Sequence, residues 1–360
     1  MSTDAVKEVV DTFLNEADTA YKDRLWRKSA AAAARAVQAA TIARDPFMIL
    51  RSLYYERRAL WKQADFGTAL VRDTQALAIA EDYAGHEGLS GYGGAWYIAM
   101  AKCSWVQDML NQTGNDDKLR QLLEVLDDAE RWLVARGYPN WRSGLLLHRS
   151  RILSRTGERD KAINVAQEAL DLALRQSPSD PGYSVGDHKV TLADFLRRAK
   201  RDEEAAAIYR ELLDNPNSFA YERVYSYHGL AEIALDAGRM EEGLRYARQG
   251  VQVADAESDF LVVCDMMYTL VRALLLSKDM DGAHQMVLRY EAQARATGTK
   301  SELYFALRSR FDVEFALGNR DQAKTVLAEL EKIATALDRE DGKAAKATEV
   351  ARRYERMTQN

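Results

Sequence analysis

The sequence predicts an all-α solenoid of about eight antiparallel helix hairpins closed by a C-terminal capping helix, and three observations carry that prediction. Helix formers dominate: only 5 of the 360 residues are proline, 29% are charged, and Ala, Leu, Arg, Glu and Lys abound. The length exceeds the roughly 250–300 residues at which a single hydrophobic core stops growing, a limit that stacked repeats evade. A small-residue pattern also recurs along the chain. It consists of a break, a small residue five positions on and another seven further, with apolar helical stretches on either side.

The cleanest copies are Gly157, Ala162 and Ala169; Gly238, Gly243 and Gly250; and Gly318, Ala323 and Leu330. Weaker copies place Ala64, Ala69 and Ala76; Gly114, Leu119 and Leu126; Lys200, Ala205 and Leu212; and Lys278, Ala283 and Tyr290 on the same marks. A degenerate first copy has Ser29 and Ala36, and the middle marks then step by 40, 50, 43, 43, 38, 40 and 40 residues. The physical basis is direct. A glycine just past a helix can take the left-handed backbone that ends it, and small residues on the next helix let two backbones approach closely.

Each hairpin has an apolar face that it cannot bury alone, as in the fourth, where Leu146, Leu153, Ile163, Ala166, Leu170 and Leu174 recur at helical spacing. The prolines, Pro46, Pro139, Pro178, Pro181 and Pro216, all fall where a second helix has ended. The array spans residues 1–338, and residues 339–360, with Val350, Tyr354 and Met357 among many charges, read as the cap. Two connections are long. Residues 84–96 hold five glycines and offer Tyr92, Trp96 and Tyr97 as loop contacts, and residues 177–187 form a proline-containing turn or hinge ending at Asp187, a good N-cap. All six tryptophans precede residue 142, most of them expected in the core.

A net charge of -5 and a pI near 5.7 leave no positive excess for nucleic acid or an anionic membrane surface. Cys103 and Cys264 have no disulfide or zinc spacing and are expected to be buried thiols. The five histidines, His86, His148, His188, His228 and His284, are scattered, so neither a metal, a cofactor nor catalysis is expected. The first ten residues lack the apolar core of a secretory signal, and no apolar run approaches about 18 residues, which makes the cytoplasm the expected compartment.

The Gly-x4-Ala-x6-Ala spacing resembles the tetratricopeptide repeat family over about residues 5–335, although units near 40 residues are longer than that family's usual 34 or so. HEAT-like arrays, which share the longer period, are the alternative. The resemblance implies a right-handed superhelix whose first helices line a groove for a protein or peptide. Its groove positions fall on Arg51, Arg58 and Lys62, then on Asp108, Asn111 and Gln112, then on Arg151 and Arg155. They continue at Arg197 and Arg198, at Tyr225, His228 and Glu232, at Tyr268 and Arg272, and at Arg308 and Asp312. So many arginines suggest an anionic segment or chain end as partner. The family's clamp for chaperone tails is not present. Two other functions stay open: a regulator that senses a peptide or small ligand and changes superhelix shape, and a self-assembling homo-oligomer.

Overall fold

The computed structural model describes residues 3–63, 65–82, 92–112, 115–176, 185–257, 260–341 and 345–359. Ala64, Gly114, the glycine-rich run 84–91, most of the 177–187 connection, and the side chains of Tyr92, Asn111 and Gln112 lie outside the described residues. Among the described residues there are seventeen α-helices, one 3₁₀ turn and no strand. The chain divides into two compact units, Met1–Val185 and Gly186–Asn360.

Unit 1 contains four hairpins: α1 (Thr3–Lys22) with α2 (Trp26–Ala43), α3 (Pro46–Lys62) with α4 (Phe66–Asp82), α5 (Tyr92–Gln112) with α6 (Asp116–Ala135), and α7 (Ser143–Arg155) with α8 (Arg159–Ala173). Unit 2 contains α9 (Val185–Arg198) with α10 (Asp202–Asp214), α11 (Ala220–Asp236) with α12 (Met240–Glu257), α13 (Phe260–Leu276) with α14 (Met280–Thr297), and α15 (Lys300–Ala316) with α16 (Arg320–Asp341), followed by α17 (Ala345–Gln359).

The first helices end in one repeated device. Gly157, Gly238 and Gly318 have φ of +89°, +75° and +80°. Lys200 and Lys278, the residues on the same mark in the weaker copies, are held at +62°. Arg24, five positions before Ser29, supplies the missing mark of the first copy at +59°. In each case the left-handed residue's N–H and the one after it turn back onto carbonyls of the last helical turn. In the fifth hairpin, for example, Lys200 N donates to Arg197 O and Arg201 N to Leu196 O, both at 2.9 Å. This crossed pair satisfies carbonyls that a helix end would otherwise leave bare.

The small residues that follow are buried as their spacing requires. Ser29, Ala69, Leu119, Ala162, Ala205, Ala283 and Ala323 are each at most 1% exposed. Gly243 stands where a Cβ would come within 2.6 Å of Leu235 Cδ2, so any larger residue there would have to move the Leu235 side chain packed between α11 and α12. First helices also pack on first helices, α1 on α3, α3 on α5 and α5 on α7 in unit 1, and α11 on α13 and α13 on α15 in unit 2. That layering puts their outward faces side by side.

The described prolines sit between hairpins. Pro46 opens α3 beside the N-cap Asp45, whose carboxylate accepts from Met48 N at 3.0 Å, Pro139 opens the 3₁₀ turn, and Pro216 lies between α10 and α11. Helix α17 covers the last hairpin: Val350 is 2% exposed and joins the core of α15 and α16, with Met357 against it, while Ala351, Arg352 and Glu355 face water. Two boundaries differ from the sequence reading: Asp187, expected as an N-cap, lies in the first turn of α9, which starts at Val185. Trp96 and Tyr97 belong to helix α5, which starts at Tyr92 in spite of its glycines. Aromatic packing overrides the local propensity, with the Trp96 ring edge-on to Tyr54 at 5.1 Å and Tyr97 edge-on to Phe47 at 5.6 Å. None of the six tryptophans is exposed.

Lys278 tests the turn. A non-glycine residue in left-handed backbone costs about 1–2 kcal/mol, so Lys278→Gly should raise the stability of the seventh hairpin by about 1 kcal/mol, read as a higher urea midpoint. A lower midpoint would mean that the lysine side chain holds the turn.

Candidate binding face on the first helices

The outward faces of the first helices carry polar side chains that meet one another one repeat apart. In unit 1, Arg51 of α3 reaches Asp11 of α1 at 2.6 Å, and Arg58 reaches Asp18 at 2.8 Å while its guanidinium lies over the rings of Tyr21 and Tyr55. Arg155 of α7 donates to the Leu110 carbonyl of α5. Lys62 and Arg151 are half-buried on the same helices.

Unit 2 builds a longer row. Asp194 of α9 takes both Arg197 and Arg198, each at 2.7 Å. Tyr225 Oη of α11 donates to Asp265 Oδ2 of α13 at 3.2 Å. His228 Nδ1 lies 2.7 Å from Thr269 Oγ1. Because the threonine hydroxyl already donates to the Asp265 carbonyl at 3.2 Å, the histidine N–H is the donor of that pair. Arg272 bonds Glu232, and its other nitrogen reaches Asp236 at 2.6 Å. Arg308 of α15 donates to Tyr268 Oη at 2.8 Å and leans on the Tyr268 and Phe305 rings. Helix α17 continues the row as a ninth first helix. Its Arg353 meets Asp312 at 3.0 Å, and its Glu349 accepts from Tyr304 Oη at 2.7 Å and pairs with Arg308 at 3.4 Å.

Tyr225, His228, Tyr268, Arg272 and Arg308 are thus brought together on neighbouring rungs, all five bridged at sequence separations of 40 or 41. Arg51, Arg58, Arg197, Arg272 and Arg308 all hold carboxylates of this chain. The residues that sequence reasoning missed include Asp265, which accepts from Tyr225; Glu302 on the same row; and Glu349 and Arg353 of α17. A usable signal existed, since Asp265 is one 40-residue step beyond Tyr225 and Glu349 is 41 beyond Arg308.

Burial tunes the charges on this row. His228 is pushed down to about 4, chiefly by burial and then by the nearby Arg197 charge, so its imidazole is neutral at pH 7. Asp265 and Glu302 are both held above the ordinary carboxylate range, by burial first and then by neighbouring negative charge, which for Glu302 is Asp265 itself. Neither forms an ion pair among the described residues, which sets them apart from Asp194, Glu232, Asp312 and Glu349. Elsewhere, burial pushes the Cys103 thiol up to about 12 and Cys264 higher still, which keeps both as thiols rather than nucleophilic thiolates. No group of three or more His, Cys, Asp or Glu placed to hold a metal ion occurs among the described residues. None of the described helices is long and apolar enough to cross a membrane.

The fold is a tetratricopeptide-like helical repeat array. No family model and no curated protein matches the chain. Solved structures match it over nearly its whole length. A Rap protein complexed with competence and sporulation factor is 15% identical, with 98% of each chain covered and a TM-score of 0.56. The apo form of the quorum sensor NprR from B. thuringiensis is also 15% identical, with 99% of this chain and 98% of that one covered and a TM-score of 0.54. Aspartyl phosphate phosphatase F from Bacillus subtilis is 10% identical, covering 100% and 94%, with a TM-score of 0.50. At such identities the likeness is one of fold.

The Glu232–Arg272 rung can be tested on its own. Arg272→Ala leaves the mostly buried Glu232 without its cation and should cost about 1–3 kcal/mol in urea unfolding, the penalty of a buried group that loses its partner. Adding Glu232→Gln should return part of that loss. Equal stability of the single variant and wild type would mean that water replaces the arginine.

Proposed function

We propose that this chain is a binding scaffold without catalytic chemistry of its own, which takes an extended peptide or protein segment along the first-helix face of unit 2. The observation that carries the reading is the row Tyr225, Asp265, Tyr268 and Glu302. These are half-buried groups on three successive first helices, two of them carboxyls that form no ion pair among the described residues. The first-helix positions expected from the sequence, from Arg51 in unit 1 to Arg308 in unit 2, are candidates for the same kind of contact. Full-length fold likeness to a Rap protein solved with competence and sporulation factor supports a peptide as the partner class. Likeness to a quorum sensor favours a second, related reading, a regulator whose helix packing changes when peptide arrives.

The sign of the partner's charge follows from the ion pairs. At Arg51, Arg58, Arg197, Arg272 and Arg308, the anionic segment expected from the arginine count would have to displace carboxylates already bonded there. A cationic side chain or terminal amine at Asp265 and Glu302 displaces only a proton. A half-buried carboxyl that feels another negative charge holds its proton to higher pH, until a cation arrives to replace it. Binding therefore strengthens as pH rises through the range in which these raised groups ionise, and weakens as pH falls and protons compete.

Selection of a displayed library of short random peptides tests this. Peptides rich in Lys or Arg should emerge, and Asp265→Asn with Glu302→Gln should weaken them by about tenfold or more, a loss of about 1.4 kcal/mol. Acid-rich peptides that instead depend on Arg198, whose side chain is 61% exposed, would restore the anionic partner. No enrichment at any pH would remove the scaffold reading. A shift in the small-angle scattering curve on adding a selected peptide would favour the sensor over the passive scaffold.

A further inference from the structure

Unit 1 buries more charge than the joining of hairpins requires. Arg57 of α3, Asp73 of α4 and Asp108 of α5 are only 9%, 3% and 2% exposed. Arg57 Nε meets Asp73 Oδ2 at 3.1 Å, and its Nη2 reaches Gln107 Oε1 at 2.9 Å and Asp108 Oδ1 at 3.5 Å. Trp61 Nε1 donates to the same Asp108 oxygen at 2.8 Å, and the Arg57 guanidinium lies 4.9 Å from the Trp61 ring centre. The other charges facing the cluster are spoken for. Glu56 of α3 holds Arg72 of α4 at 3.0 Å, and Lys102 of α5 turns away to Asp128 of α6. Cys103 of α5, also near Arg57, remains a neutral thiol.

Two carboxyl groups thus share one guanidinium in a dry site. Asp108 Oδ2 is buried and accepts no hydrogen bond among the described residues, although Asp73 packs on the same guanidinium. Two buried carboxyls held against one cation repel unless a hydrogen stands between them. We propose that Asp73 and Asp108 share a single proton at neutral pH, and that this proton joins the second hairpin to the first helix of the third, a joint that loosens when the proton leaves.

Burial holds both carboxyls above their ordinary range against the pull of the Arg57 charge, and the Asp108 charge adds to the rise at Asp73, which reaches about 8. The sign follows from linkage. Once the unfolded chain has lost its carboxyl protons, the folded chain still binds one, so each further pH unit disfavours folding about tenfold until the folded pair ionises too. The contribution is fully present below the ordinary carboxylate range, declines as pH rises toward about 8, and is gone above it.

The full-length chain provides its own reporter, because all six tryptophans lie in unit 1. Urea unfolding followed by tryptophan fluorescence between about pH 5.5 and 7.5 should show the folded-to-unfolded ratio of wild type falling by about tenfold per pH unit relative to Asp73→Asn. The amide keeps a hydrogen between the two side chains at every pH, so above about pH 8 that variant should be the more stable protein. Parallel pH profiles, or an Asp73→Asn protein that is weaker throughout, would overturn the proposal in favour of two ionised carboxylates held by Arg57. If the variant does not fold, infrared spectra of Glu302→Gln protein decide the matter: a carboxylic-acid carbonyl band at pH 7 that fades at alkaline pH is expected, and its absence at pH 7 refutes the shared proton.

Discussion

Everything in this fold depends on one backbone reversal. The residue ending six of the eight first helices, Arg24, Gly157, Lys200, Gly238, Lys278 or Gly318, takes left-handed backbone, and its N–H and the next fold back onto the helix it closes. The small residue five positions later then meets the helix just completed, closely enough at Gly243 that a Cβ would push against the Leu235 side chain. The same short turn recurs, so the hairpins from the fifth onward advance with nearly constant spacing, and side chains 40 or 41 residues apart come face to face. The ladder of rungs in unit 2 is a consequence of the turn.

That ladder explains why so much charge can be half-buried in a helical array. A guanidinium on a first helix loses water to the helices on either side, and a carboxylate one repeat away restores what it lost. Arg51, Arg58, Arg272 and Arg353 follow this rule. Where the rule fails, a proton takes the place of the cation. Asp73 and Asp108 have one arginine between them, and Asp265 and Glu302 form no ion pair among the described residues. The first pair is sealed among α3, α4 and α5, whereas the second lies on a half-buried row of first-helix groups, which is the difference between a joint and a binding position.

Some of this was legible in the sequence, for a physical reason. The hairpin boundaries are set by interactions among residues close in the chain, and those leave a periodic trace. Gly157, Ala162 and Ala169 mark a helix end and two close contacts wherever they occur, and even Lys200 and Lys278 could be placed by spacing alone. Arg24 could not, since nothing about an isolated arginine suggests left-handed backbone. Trp96 and Tyr97 were assigned to a connection because glycines surround them, whereas contacts with Phe47 and Tyr54, distant in sequence, make them helical.

For the candidate face, the sequence indicated which residues share a side of the first helices, because helical period determines direction. It did not indicate what those residues touch. Whether Arg308 waits for a partner or already rests on Tyr268 and Glu349 depends on the reach of side chains across neighbouring helices, and repeat steps that range from 38 to 50 residues blur any attempt to add one period and read off the answer. By itself, then, the sequence determined the all-α repeat architecture, its turns and its inward-facing small residues, all of them local and periodic. The tertiary structure alone decided which charges are neutralised within the chain and which carboxyls keep a proton, because desolvation and pairing belong to the packed neighbourhood and leave no period behind.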